Sequence, residues 1–263
     1  MLRFTTCQAQ IAEPFCEGLT AFMARRLGIP TEFVCDIPWQ ERERLIDRGE
    51  VGVGWICGLP YVRKRSSGGA DIELLAAPIM KHPRYELRPV YYSDIVVHAK
   101  SSFHSFDDLR GATWAYNESG SHSGYNLIRY HLATRGIRGN YFTRVVESGS
   151  HQDSIQMILE GCIDASAIDS TVLEMALNRN PGLARKIRTI AVLGPSPAPP
   201  WIIHRSVPDD VRDALRREFI AMHEDAEGRA ILDTAGILRF GEISDESYYP
   251  ILQIDRIASS VEW

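Results

Sequence analysis

Several features that would indicate a specialised class of protein are scarce or absent in this sequence. Its 263 residues include only five cysteines, without a C-x-x-C pair, which argues against a zinc knuckle or a thioredoxin-type site. The net charge of −5 argues against a large nucleic-acid surface, because such a surface needs a basic stripe. No apolar run approaches the roughly 20 residues that cross a bilayer, so we expect no membrane-spanning segment.

The N-terminus also lacks the pattern of a secretory signal peptide. Residues 2–6 indicate a β-strand rather than a basic start followed by an apolar stretch. Either a leader has been removed, or the protein stays in the cytoplasm. An odd number of cysteines without paired spacing favours a reducing compartment over an oxidising one.

The sequence does contain an alternation of short apolar strands and amphipathic helices, which predicts an α/β protein with mostly parallel sheets flanked by helices. The Pro-rich segment 194–200 predicts a linker, and the mostly helical chain after it is expected to complete an earlier unit. We therefore predict a first lobe of residues 1–92 and 196–263, and an inserted second lobe of residues 93–195. A two-crossing hinge would join them around a ligand cleft.

The segment 116–125 follows a predicted strand and opens an amphipathic helix. Helix starts leave backbone N–H groups unpaired and carry the positive end of the dipole, so they attract anions. Glycines allow close approach of a ligand, and the hydroxyls of Ser121 and Ser123 add donors. A serine-capped helix after a flexible turn is an equally good interpretation of these residues alone.

Two catalytic motifs can be compared with this segment, and neither fits. The Walker pattern G-x-x-x-x-G-K-[ST] is absent. In the stretch 120–124, His122 stands where a nucleophile elbow has its serine. The segment therefore disfavours a hydrolase.

Two further strand ends and two aromatic positions are candidates for a site. His151 lies at the first turn of a helix after Ser-Gly-Ser and could donate to an anion, although such a residue is more often solvated. Asp169 could accept from a ligand hydroxyl, or simply lead into a helix capped by Ser170. Trp55 and Tyr92 could wall a cleft, or could belong to the core.

Three segments together resemble a known family. Residues 121–124, 148–151 and 163–170 read Ser-His-Ser-Gly, Ser-Gly-Ser-His and Ile-Asp-Ala-Ser-Ala-Ile-Asp-Ser. The phosphate/phosphite/phosphonate-type substrate-binding proteins of ABC transporters have Ser-Thr-Ser-Gly, Ser-Gly-Ser-His and Val-Asp-Ala-Ala-x-x-Asp-Ser. The resemblance covers nearly the whole chain and is strongest over residues 91–170.

This resemblance implies a two-lobed type II periplasmic-binding-protein-like fold that binds phosphate, phosphite or a small phosphonate without catalysis. It implies no cofactor and no metal, a periplasmic location and an ABC permease as partner. By the resemblance, Ser121 and Ser123 hold oxyanion oxygens. His151 donates to the ligand, Asp169 accepts from it, and Tyr92 closes from the other lobe.

His122 is where the sequence departs from that family, which has threonine there. We keep His122 and Trp55 as ligand-binding candidates, and solvent exposure is the alternative for His122. Two rival functions follow from the same residues. One is a cytoplasmic ligand sensor of the same fold, and the other is an enzyme of that fold with His122 or His151 as its base.

Overall fold

The computed structural model describes residues 1–68 and 71–262, in which strands and helices alternate. The strands are β1 (Leu2–Thr6), β2 (Thr31–Val34), β3 (Val53–Trp55), β4 (Ile72–Met80), β5 (Val90–His98), β6 (Thr113–Tyr116), β7 (Arg144–Glu147), β8 (Ala165–Asp169), β9 (Ile187–Pro197), β10 (Trp201–His204) and β11 (Ile237–Gly241). The helices are α1 (Glu13–Leu27), α2 (Trp39–Asp47), α3 (Gly58–Ser67), α4 (Leu127–Thr134), α5 (His151–Leu159), α6 (Ser170–Arg179), α7 (Asp209–Ala221), α8 (Ala226–Thr234) and α9 (Tyr249–Ala258). A π-helical turn, His122–Asn126, runs directly into α4.

The chain divides into two compact units, each built from separated segments. The first unit comprises Met1–Val90 and Pro197–Tyr249. The second comprises Tyr91–Ser196 together with the chain from Pro250 onward. The chain therefore passes from one unit to the other three times, where the sequence led us to expect two crossings. The structure also places Tyr92 in the second unit, not in the first.

The C-terminal residues join the second unit through specific contacts. Val261 is fully buried in a core cluster that includes Trp114 and Ile128. The carbonyl of Val261 accepts hydrogen bonds from Nε and Nη2 of Arg129, at 2.9 and 2.7 Å. The apolar face of an amphipathic helix can cover either sheet, so helical periodicity alone could not show that α9 leads into the second unit.

The first unit contains a six-stranded sheet in the order β11-β4-β10-β3-β1-β2. Strand β1 pairs in parallel with β2 and β3, whereas β10 is antiparallel to both β3 and β4. Strand β11 is antiparallel to β4. Strands β1 to β4 thus run in one direction, and the chain after residue 200 supplies the two opposing strands.

The second unit contains a five-stranded sheet in the order β7-β6-β8-β5-β9. Strand β6 is parallel to β7 and β8, and β5 is antiparallel to β8. Apolar clusters cover both faces, one around Trp114 and Ile128 and the other around Val96 and Ile155. The carboxyl ends of β6, β7 and β8 lead to the starts of the next three helical segments, and this arrangement positions the candidate site.

The Pro-rich segment predicted as a linker is regular strand as far as Pro197. Strand β9 lies at the edge of its sheet, where a residue without an N–H group removes no necessary ladder hydrogen bond. Prolines therefore did not mark the end of the strand. Among the helices of residues 1–68 and 71–262, none has the length and apolarity needed to cross a membrane.

Candidate functional site

The first part of the site is the helix start that follows β6. Ser121 is the N-cap of the π-helical turn, and its hydroxyl accepts a hydrogen bond from the backbone N–H of Gly124 at 3.0 Å. Its carbonyl accepts from the backbone N–H of Asn126 at 3.1 Å. Ser121 and Ser123 are nearly fully buried. Since π-helical turns are rare and occur frequently at functional sites, this geometry supports the anion-site prediction for the segment.

The second part of the site is the start of α5, which follows β7. Ser150 caps this helix by accepting from the backbone N–H of Asp153 at 3.0 Å, and the two residues have the spacing of a capping box. Gly149, just before it, has a φ of 90°, a region that glycine adopts without strain. The turn directs His151, the first residue of α5, into the interior, where it is 6% exposed.

The two helix starts meet. Oγ of Ser123 lies 3.5 Å from Nε2 of His151. The turns before them are joined as well, because the backbone N–H of Gly149 donates to the carbonyl of Asn117 at 2.9 Å. A Cβ on Gly124 would lie 1.9 Å from Oδ1 of Asn117 and 3.2 Å from Cε1 of His151, so only glycine fits at this point.

Asp169 brings the third strand end to the same place. It is the last residue of β8, and its Oδ1 accepts from the backbone N–H and the hydroxyl of Thr171, at 2.8 and 2.7 Å. In the sheet, Asp169 stands opposite Ser93, whose hydroxyl donates to the carbonyl of Ser123 at 2.8 Å. The structure therefore links Ser123 directly to His151 and, through Ser93, to Asp169, while Ser121 caps the same turn as Ser123.

Burial changes the ionisation of this group of residues. Desolvation lowers the pKa of His151 from 6.5 to about 4, and the nearby backbone of Ala167 acts in the opposite direction. Desolvation raises the pKa of Asp169 from 3.8 to about 6, with a smaller contribution from the charge of Asp94 and opposition from Thr171. At neutral pH His151 is thus a neutral imidazole, and Asp169 is a buried carboxylate that takes up a proton readily.

Trp55 does not have the role that we expected for it. It is 5% exposed, and its indole ring stacks on Trp201 with the ring centres 5.6 Å apart. Its single N–H donates to the carbonyl of Pro199 at 2.9 Å. Because this donor is already used inside the first unit, Trp55 is a core residue and has no hydrogen bond left for a ligand.

Tyr92 lies in β5 of the second unit, and its backbone N–H donates to Oγ of Ser170 at 3.0 Å. The helix after β8 begins at Ser170, which is fully buried. Tyr92 is half-buried beside this third helix start. Tyr92 therefore belongs to the same unit as the serines, not to the first lobe as we expected, and its contact with a ligand stays a prediction.

His122 is not exposed to solvent, and its ring has polar partners on two sides. Its side chain is fully buried, with Nε2 3.1 Å from Oγ of Ser196 and Nδ1 3.3 Å from Nδ2 of Asn126. Burial lowers its pKa to about 3, and the negative charge of Asp255 opposes this shift. Solvent exposure, one of the two alternatives from the sequence, is therefore wrong, because the ring is buried with a partner at each nitrogen.

Sequence reasoning missed two buried polar residues of this region, Asn117 and Ser93. Asn117 has a buried Oδ1 that accepts no hydrogen bond from the described residues. A signal for Asn117 was present, because it directly follows β6 at the edge where ligand-facing loops leave the strands. Ser93 gave no such signal, since only the antiparallel pairing of β5 with β8 brings it to the site.

No group of three or more metal-ligating side chains occurs among residues 1–68 and 71–262. None of the five cysteines, all of which lie in the described ranges, forms a disulfide. The donors at the site are hydroxyl, imidazole and helix-start amide groups, a set that suits an oxyanion.

Two α/β units, each with a helix-flanked sheet and a core of three adjacent parallel strands, define the fold of the two-lobed periplasmic-binding proteins. Known structures agree. A binding protein component of an ABC phosphonate transporter from Pseudomonas aeruginosa matches with a TM-score of 0.85 and 17% identity, over 98% of this chain and 86% of that one. PhnD1 from Prochlorococcus marinus, in complex with methylphosphonate, matches with a TM-score of 0.86 and 17% identity, over 99% and 98%. At this identity the similarity shows the fold.

A family model described as ABC transporter, phosphonate, periplasmic substrate-binding protein matches residues 8–248. The chain therefore belongs to this family of substrate-binding proteins. The Phosphonates-binding periplasmic protein of Escherichia coli (strain K12) is 22% identical over 171 residues, which is 63% of this chain and 50% of that protein. The chain thus spans about half the length of that relative.

Proposed function

We propose that this protein binds a small oxyanion, either phosphate, phosphite or a small phosphonate, as the substrate-binding component of an ABC transporter. The observation that carries the proposal is the meeting of two buried helix starts, with Ser123 3.5 Å from His151 and with Asp169 at the neighbouring strand end. Membership of the phosphonate family supports it. An ABC permease is the partner that this family membership favours.

The donors at the site are uncharged, which suits reversible binding. Amides in the first turn of a helix have no partner within the helix, and the dipole places partial positive charge there. The hydroxyl of Ser123 and the neutral ring of His151 add side-chain donors. Because none of these groups carries a full charge, an anion can bind without forming a buried ion pair that would be slow to separate.

Asp169 gives the site a preference among oxyanions. A carboxylate beside a fully deprotonated anion is repelled, whereas a proton between the two oxygens gives a charge-assisted hydrogen bond. Phosphate, phosphite and phosphonates keep an acidic hydroxyl near neutral pH, and sulfate does not. We therefore expect the protein to discriminate against sulfate.

The same geometry supports binding without catalysis. A serine nucleophile needs a histidine base whose other nitrogen is oriented by an acid. Nδ1 of His151 is buried, and no described residue makes a hydrogen bond of good geometry to it. Ser123 and His151 therefore have the spacing of a loose donor pair and lack the third member of a triad.

The test is calorimetric titration with methylphosphonate, phosphite, phosphate and sulfate, at one pH and with each compound recovered unchanged. We expect at least one phosphorus oxyanion to bind, with sulfate at least tenfold weaker. Ser123→Ala should lose roughly tenfold in affinity, the loss that follows from removing one hydrogen bond of about 1.4 kcal/mol to a charged ligand. Ser259→Ala, at an exposed position of the same unit, is the matched control. Absence of binding for all four anions, or turnover of any of them, would contradict the proposal.

A further inference from the structure

His122 lies between the two serines of the anion site in the sequence, and its ring contacts two residues outside that pair. Nε2 lies 3.1 Å from Oγ of Ser196, and Nδ1 lies 3.3 Å from Nδ2 of Asn126. An amide nitrogen can only donate, so Nδ1 is the acceptor and the ring proton sits on Nε2. The ring is thus a neutral tautomer that donates on one side and accepts on the other.

The two partners of the ring connect different parts of the unit. Asn126 is the last residue of the π-helical turn, so its bond to His122 spans that turn from end to end. Ser196 lies near the end of β9 and is the last residue of the second unit before the chain enters the first. The imidazole therefore ties the helix start to the strand that leads out of the unit.

A π-helical turn needs such a tie more than an α-helical turn does. It holds an extra residue per turn, and regular i to i−4 hydrogen bonds do not continue through it. Here the backbone of the turn is held by i to i−5 hydrogen bonds, from Asn126 to the carbonyl of Ser121 and from Leu127 to the carbonyl of His122. A register shift of these bonds to i−4 would convert the turn into an α-helix and rotate the hydroxyl of Ser123 away from His151, and the side-chain bond from Asn126 to His122 opposes that shift.

We infer that His122 is a positioning residue, which fixes the π-helical turn through Asn126 and Ser196 and so holds Ser121 and Ser123 in place without touching the oxyanion. The inference rests on the proposed function for its effect on ligand affinity. Its structural part, the rigidity of the turn, stands on the ring contacts alone. Each part has its own measurement.

Three substitutions separate the hydrogen bonds of the ring from its volume. His122→Gln keeps one donor and one acceptor at the end of the side chain, so it can still engage both partners. His122→Leu keeps the bulk and loses both bonds. Ser196→Ala removes one partner and leaves the ring. Ile128→Val, at a fully buried position on α4, is the control for simple loosening of the core.

The first measurement is amide hydrogen exchange of Gly124 and Asn126 in the ligand-free protein. We expect exchange at these amides to be at least tenfold faster in His122→Leu and in Ser196→Ala. In wild type, His122→Gln and Ile128→Val it should be similar, even though Ile128→Val lowers the melting temperature. Equal exchange in His122→Leu and wild type would overturn the inference, because the ring would then be core packing only.

The second measurement is calorimetric affinity for methylphosphonate, phosphite and phosphate with the same variants. We expect at least tenfold weaker binding in His122→Leu, and binding within threefold of wild type in His122→Gln and Ile128→Val. Unchanged affinity in His122→Leu would overturn the effect on the ligand. If wild type binds none of these anions, the proposed function fails, and the exchange measurement then decides the inference by itself.

Discussion

The buried carboxylate of Asp169 should make stability depend on pH in a direction opposite to that of the buried histidines. Burial raises its pKa from 3.8 to about 6, so the folded protein holds this proton more tightly than the unfolded chain does. That contribution to stability is fully present below pH 3.8 and is lost as the pH rises through about 6. The difference between these two pKa values corresponds to about 3 kcal/mol in the free energy of unfolding, and this contribution is absent at pH 7.5.

The perturbation is Asp169→Asn, which keeps an oxygen for Thr171 and removes the charge. We expect the variant to gain about 2.5 kcal/mol relative to wild type between pH 4 and pH 7.5, because the carboxyl of the unfolded chain is already partly ionised at pH 4. The difference between the two proteins is the quantity to follow. Buried His122 and His151 have lowered pKa values, so their stabilisation is present above pH 6.5 and is lost as the pH falls. This histidine effect is common to both proteins and cancels.

Urea unfolding at pH 4.0, 5.0, 6.0 and 7.5, followed by circular dichroism, measures the difference. Asp210→Asn, at an exposed position, serves as the control for losing an aspartate elsewhere, and its difference from wild type should vary by less than about 1 kcal/mol. A difference between Asp169→Asn and wild type that stays constant across this pH range would refute the argument, because it would show that Asp169 is solvated.

Three further predictions follow from single positions. Gly124→Ala should abolish anion binding in calorimetry, since its Cβ would overlap a buried oxygen of Asn117. Gly18→Ala, in a helix with room for a methyl group, should leave binding unchanged and raise the free energy of unfolding by about 0.5 to 1 kcal/mol. Equal binding by the two variants would contradict the packing around Gly124. Arg42→Lys should lower the free energy of unfolding in urea by about 2 kcal/mol, because lysine cannot replace a guanidinium that donates to two backbone carbonyls and a glutamate. A loss below about 0.5 kcal/mol would show that these hydrogen bonds do not stabilise the fold. Long-range proton–nitrogen NMR spectra should show the rings of His122 and His151 neutral from pH 8 down to pH 5, and titration of either ring near pH 6.5 would contradict its burial.

Local rules predicted the parts of the site that lie on one stretch of chain. Ser150 and Asp153 have cap spacing, and the cap forms. Ser123 and His151 follow β6 and β7, and because these neighbouring parallel strands end at the same edge of the sheet, the two side chains lie close together. These features depend on short-range geometry, which residue types and spacing encode directly.

Tertiary packing decided the rest. His122 has the same sequence context whether it faces an anion, solvent or the core, and Ser196, some seventy positions away, determines which of these occurs. The sequence context of Trp55 likewise fits a cleft or the core, and its stacking on Trp201 places it in the core. The course of the chain after Tyr249 depended on which sheet offered a place for Val261.

The burial of Val261 in the core of the second unit has a consequence for synthesis of the protein. Most of that unit, Tyr91–Ser196, leaves the ribosome early, but its core and the partner of Arg129 remain incomplete until residue 261 has been made. The first unit has all of its strands once residue 241 has emerged. The segment that is translated in the middle should therefore be the last to become protease-resistant on the ribosome, an order opposite to the usual N-terminal-first sequence.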